Sequence, residues 1–145
     1  MTDAVERDLG SMLDDLCRTT TTASFARSRG DASESPTRPG GCRITCPPGA
    51  PFAFLDLRRW DDDGIGIVDV TLRSGAEQPT WARLRERFGP FEELDPLEGA
   101  DPRFAATWAG PPESGADALV IVTVDAGVVT GITLRRDPRR VPPSS

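Results

Sequence analysis

The chain has no histidine, lysine, asparagine or tyrosine, and only one glutamine, Gln78. Each absence excludes some chemistry. Without His there is no Ser–His–Asp or Cys–His pair to activate a nucleophile, and most transition-metal sites lose their commonest ligand. Without Lys a Ser–Lys variant is excluded too. All 17 basic residues are Arg. Lys, Asn and Tyr use AT-rich codons, so their joint absence points to a GC-rich genome such as that of an actinobacterium. It also makes abundant Arg a poor sign of function. Long apolar runs are missing as well. The longest, Ala118–Val124, is broken by Thr123, whereas a membrane helix needs about 18 apolar residues. Met1–Glu6 is acidic and has neither a basic nor an apolar signal region, so a cytoplasmic location is expected. Cysteines are few and odd in number: Cys17, Cys42 and Cys46. Thiols are the expectation. Cys42-x-x-x-Cys46 supplies at most half a zinc tetrahedron, so neither a metal nor another cofactor is expected.

What remains is a 145-residue chain, the length of one domain, with 37% apolar residues and a net charge of −6. Nucleic acid attracts proteins through phosphate neutralisation, so an acidic chain is disfavoured as its partner.

Residues 3–18 read as a helix. Val5, Leu9, Met12, Leu13 and Leu16 form one stripe at helical period, with Asp3 as N-cap and Glu6 as its capping-box partner. Residues 28–50 read as a linker rich in Ser, Gly and Pro, with Cys42–Cys46 a candidate short edge strand inside it. Residues 52–73 read as a hairpin around Asp63-Gly64, a two-residue turn signal. That turn sets Trp60 opposite Ile67, Arg58 opposite Asp69 and Asp56 opposite Thr71. A register two residues shorter would oppose Asp56 and Asp69, which like charges disfavour. Residues 80–88 read as a helix capped by Thr80 and ended by Gly89-Pro90. Phe91–Ala100 is an irregular loop anchored by Leu94 and Leu97. Arg103–Ala109 is a strand with Phe104, Ala106 and Trp108 on one face. Residues 117–136 form a second hairpin about a three-residue loop, Asp125-Ala126-Gly127, with Val120, Val122, Val124, Val128, Ile132 and Leu134 on one face.

The expected fold is α+β, a single antiparallel sheet of about five strands with one or two helices packed on one face. The order is α-linker-ββ-α-βββ. The expected organisation is an amphipathic helix over 1–27, a flexible linker over 28–50, a core over 51–136 and a disordered tail over 137–145.

Pro79–Arg136 carries a Thr-capped helix ending in Phe88-Gly89-Pro90, then three strands. The last two flank Asp125-Ala126-Gly127-Val128-Val129-Thr130. This stretch, about 40% of the chain, resembles the helix-plus-hairpin half of SmpA/OmlA and beta-lactamase-inhibitor-like domains. The resemblance implies a non-catalytic, protein-binding role. The chain departs from those families in having no lipoprotein signal. A helix, a linker and an extra hairpin also replace the usual two-helix start.

One strand face gathers candidate site residues. Phe54, Asp56, Arg58 and Trp60 share it with Ile67, Asp69, Thr71 and Arg73. It reads either as a binding surface, with Asp56 as a general base, or as a half-exposed sheet face with a cross-strand Arg58–Asp69 pair. Asp61-Asp62-Asp63-Gly64 lacks the alternate acids and position-twelve Glu of a calcium loop and reads as a solvated turn. Arg135, Arg136, Arg139 and Arg140 read as a solvated tail, with no interleaved aromatic to stack bases. The helix over 3–16 either packs on its own domain or docks in a partner's groove.

The function expected is a non-catalytic interaction module, an adaptor, inhibitor or immunity-type protein. Its partner is another protein, or a second copy closing exposed strand edges. The alternative is a small-molecule-binding domain or small enzyme using Asp56, Asp69 and Arg58.

Overall fold

The computed structural model describes residues 3–18, 25, 33–36, 41–47, 52–59, 65–72 and 79–138. Helix α1 is Asp3–Cys17 and helix α2 is Trp81–Phe88. The strands are β1 (Ser33–Pro36), β2 (Gly41–Thr45), β3 (Phe52–Arg59) and β4 (Ile65–Leu72), then β5 (Glu92–Glu93), β6 (Arg103–Trp108), β7 (Ala116–Asp125) and β8 (Val128–Pro138).

All eight strands form one antiparallel sheet in the order β1-β2-β3-β4-β8-β7-β6-β5. It consists of two meanders, β1–β4 and β5–β8, joined where β4 pairs with β8 through Ile67↔Arg135 to Val70↔Ile132. The expectation of about five strands is therefore overturned, although the class remains α+β. Seven strands are longer than two residues, and β5 adds two more residues at the edge. Two of the extra strands, β1 and β2, lie inside the segment read as a linker; β2 coincides with the candidate strand Cys42–Cys46 but lies between β1 and β3 rather than at the edge. Ser33-Glu34-Ser35-Pro36 carries no β-branched or aromatic residue. A strand is nonetheless held by backbone pairing, and Pro is tolerated at the end of an edge strand.

The five stripe residues of α1 are all buried, and the helix lies over β7 and β8. Burying such side chains contributes about 1.5–3 kcal/mol each relative to exposure. The Trp108 indole N–H donates to Asp14 Oδ1 at 2.9 Å, fixing the C-terminal half of α1 to β6. Helix α2 lies on the same side. The Thr80 hydroxyl accepts from Arg83 N–H at 3.1 Å, which caps it. Leu84 and Phe88 are buried, and the Phe88 and Trp108 rings lie 5.7 Å apart. Phe25 belongs to the same core.

The first hairpin does not adopt the expected register. Asp56 stands opposite Asp69, Leu57 opposite Val68 and Arg58 opposite Ile67. This is the arrangement that like-charge repulsion argues against when only two strands are considered. The other strands reverse the balance. Arg43 on β2 holds both oxygens of Asp56, at 2.8 and 3.2 Å. Thr133 on β8 donates to Asp69 Oδ1 at 2.9 Å, and Arg58 reaches Asp69 diagonally at 3.6 Å. A bulge at Ala53 turns Phe52 into the core while Phe54 stays on the opposite face. The Asp63-Gly64 turn lies outside the described residues.

The second hairpin turns on two residues, Ala126 and Gly127, both at positive φ (51° and 81°), with Asp125 paired to Val128. A register shift follows: Val124 pairs with Val129, but Thr123 pairs with Gly131. The extra residue rotates the strand, so Val129 packs against the core and Val128 is 63% exposed. Val128 therefore leaves the face on which simple alternation placed it. Leu97, expected as a loop anchor, is also exposed at 55%.

Candidate functional site

The sheet has two unlike faces. One carries Ile44, Leu55, Leu57, Val68, Leu134 and Val120 beneath α1 and α2. The other carries no helix among the described residues. The register assembles that open face into rows across the strands. One row runs Arg43, Asp56, Asp69, Thr133, Ile121, Ala105. The next runs Arg58, Ile67, Arg135, Leu119, Thr107, and a third places Thr45 beside Phe54 and Thr71.

Five of the six expected site residues, Phe54, Asp56, Arg58, Ile67 and Asp69, do share this face. Trp60 lies outside the described residues, as does Arg73. The Arg43 guanidinium packs over the Phe54 ring, 4.8 Å from its centroid, while it grips Asp56. The hydrogen bond to Asp56, then its charge, holds Arg43 above its ordinary pKa. Asp56 and Asp69 are 34% and 45% exposed, so the ion pairs sit in solvent and screen one another rather than line a closed cavity. Both carboxylates already accept hydrogen bonds from Arg43 and Thr133, an arrangement that anchors a surface rather than frees a general base.

Arg43, Thr133, Arg135, Leu119 and Ile121 belong to this face but were not among the expected site residues. Their signal was present only in part. Arg43 sits in the candidate edge strand, and the other four lie on the second hairpin, on the face opposite Val120, Val122, Ile132 and Leu134. What the sequence concealed was that β8 pairs with β4, making the two hairpins one surface.

Other candidates resolve differently. Cys42 and Cys46 share one extended segment, with Cys46 N–H continuing the pairing to Ala53 at 3.0 Å. Four extended residues span about 13 Å, well beyond the ~7 Å limit for a disulfide, so these two do not pair within one chain. Arg135 and Arg136 alternate to opposite faces of β8, which splits the apparent basic cluster; Arg139 and Arg140 lie outside the described residues, as does the run Asp61–Asp63. Among the described residues no group of three or more Cys, Asp or Glu stands close enough to hold a metal ion, and no helix is long and apolar enough to cross a membrane.

Comparison with known proteins gives no match to any family, curated protein or solved structure. The likeness of residues 79–136 to SmpA/OmlA-type modules thus rests on those residues alone.

Proposed function

We propose that this chain is a non-catalytic protein-interaction module of a GC-rich bacterium, an adaptor, inhibitor or immunity-type protein acting in the cytoplasm. Its docking surface is the open sheet face. The observation that carries the reading is the composition of that face in rows. Half-buried Ile67, Leu119 and Ile121 lie among ion-paired and hydroxyl side chains contributed by neighbouring strands. Protein interfaces combine an apolar centre with a polar rim in the same way. Arg43 is already paired with Asp56 and Arg58 with Asp69, so covering these four side chains leaves no lone buried charge among them, the costliest outcome of docking.

The small-molecule alternative at Asp56, Asp69 and Arg58 gains no support from this geometry, because these side chains are engaged with one another and half in solvent.

The test begins with affinity capture from a lysate of the source organism using the whole chain. The recovered partner is then titrated against Ile67→Glu, a charge placed at the apolar centre. Weakening by at least about tenfold is expected for an interface anchor. Unchanged affinity would remove the open face from the interface.

A further inference from the structure

On the helix side of the molecule, a cleft of about 490 Å³ opens between α1 and α2, lined by Glu6, Arg7, Arg83, Glu86 and Arg87. Its most unusual feature is Glu6, whose side chain is only 6% exposed. A capping box would turn Glu6 back to the start of its own helix. Instead Oε1 accepts from Arg83 Nε of α2 at 3.1 Å, and Oε2 has no hydrogen-bond partner among the described residues. A buried carboxylate oxygen left without a donor keeps its full desolvation penalty, and native structures seldom leave such groups unanswered. Arg7 and Arg87, by contrast, are exposed, and neither makes an ion pair among the described residues.

We propose that this cleft binds a small zwitterion of the α-amino-acid class. Its ammonium is held by Glu6, and its carboxylate by the guanidiniums of Arg7 and Arg87. The two halves of the ligand answer the two unmet demands of the site. A buried carboxylate with a vacant oxygen takes an N–H donor, and planar guanidinium forks take a carboxylate in bidentate fashion. Oε2 itself is screened from solvent. The terminal torsion of Glu is broad and two-fold, however, so the carboxylate can turn to present either oxygen to an incoming donor. A simple anion would leave Glu6 unanswered and would meet its negative charge. A simple cation would meet three guanidiniums. Because α1 and α2 each supply part of the site, an occupant ties the N-terminal helix to the second meander. The site is independent of the open sheet face.

The experiment is a ¹H–¹⁵N NMR titration of the whole chain with the twenty L-amino acids in turn. At least one is expected to cause saturable shifts confined to the amides around residues 5–8 and 83–88. Its N-acetyl derivative and its decarboxylated amine should each bind at least about tenfold more weakly, the usual effect of losing one charge-assisted contact. Glu6→Gln and Arg87→Ser should do the same. Arg87 is exposed, so its variant tests the site even if the Glu6 substitution disturbs folding. Three results would each overturn the proposal: no amino acid shifts these amides; the N-acetyl derivative binds equally well; or inorganic phosphate produces the same saturable shifts, which would mark a plain anion site.

Discussion

Ala126 occupies the left-handed region at φ 51°, beside Gly127 at φ 81°. A residue with a β-carbon is strained there by about 1–2 kcal/mol, whereas Asn tolerates it and Asn-Gly is the preferred pair for such a hairpin turn. Ala126→Asn is therefore expected to stabilise the protein by on the order of 1 kcal/mol, read as a higher denaturation midpoint with an unchanged slope. A lower midpoint would show that the turn is held by something other than its dihedrals. A second residue-scale consequence concerns Asp56. Its carboxylate faces Asp69 directly and is made tolerable by Arg43 from the neighbouring strand. Removing Arg43 should expose the repulsion, so Arg43→Ala lowers stability, and Asp56→Asn in that background restores part of it. A double-mutant cycle measures the coupling. If the two effects simply add, the Arg43–Asp56 pair does not hold the register.

Among the elements, those that were legible in the sequence carry their own physical signal. The five apolar residues of α1 recur at helical period, and all five are buried. Thr80 caps α2 as its position predicts. The illegible elements depend on partners distant in the chain. Strand β2 falls where Cys42–Cys46 reads as a short edge strand, but its outer side is covered by β1, a pairing that nothing in Ser33–Pro36 announces. The register of β3 on β4 departs from the two-strand expectation because Asp56 and Asp69 are met by Arg43 and Thr133, which belong to neither strand. Val128 leaves the expected face because one extra residue near Thr130 reverses the alternation, and no local rule announces that bulge. The same burial data say what α1 does. It covers the centre of the sheet over β7 and β8, and Asp14 ties it to Trp108. A chain lacking residues 1–18 should thus lose its cooperative unfolding transition and expose apolar surface, visible by near-ultraviolet circular dichroism and dye binding. A truncated chain that still unfolds cooperatively with native-like signals would show α1 to be an appendage rather than part of the core.

At the scale of the whole molecule, two meanders share one sheet through the β4–β8 seam. That seam creates the surface on which the proposed function rests. It brings Asp69 and Ile67 from the first meander beside Thr133 and Arg135 from the second, so neither meander alone contains the face. The part of the site read from sequence, Phe54 to Asp69, is therefore one half of a larger patch; Leu119 and Ile121 complete it. The helices crowd the opposite side, so among the described residues one face of the sheet is covered and stabilises the fold while the other carries no helix. A net charge of −6 coexists with ion pairs that are local and mutual on that face. Recognition there should follow shape and apolar burial more than long-range attraction, because exposed pairs of this kind are readily screened.

The most direct measurement of that claim is site-specific photocrosslinking in a lysate of the source organism. One probe replaces Ile121 on the open face, and a control probe replaces Glu98, exposed on the loop between β5 and β6. One discrete protein adduct is expected from position 121 and none from position 98. An adduct of equal yield from both positions, or from position 98 alone, would contradict the assignment of the open face as the docking surface.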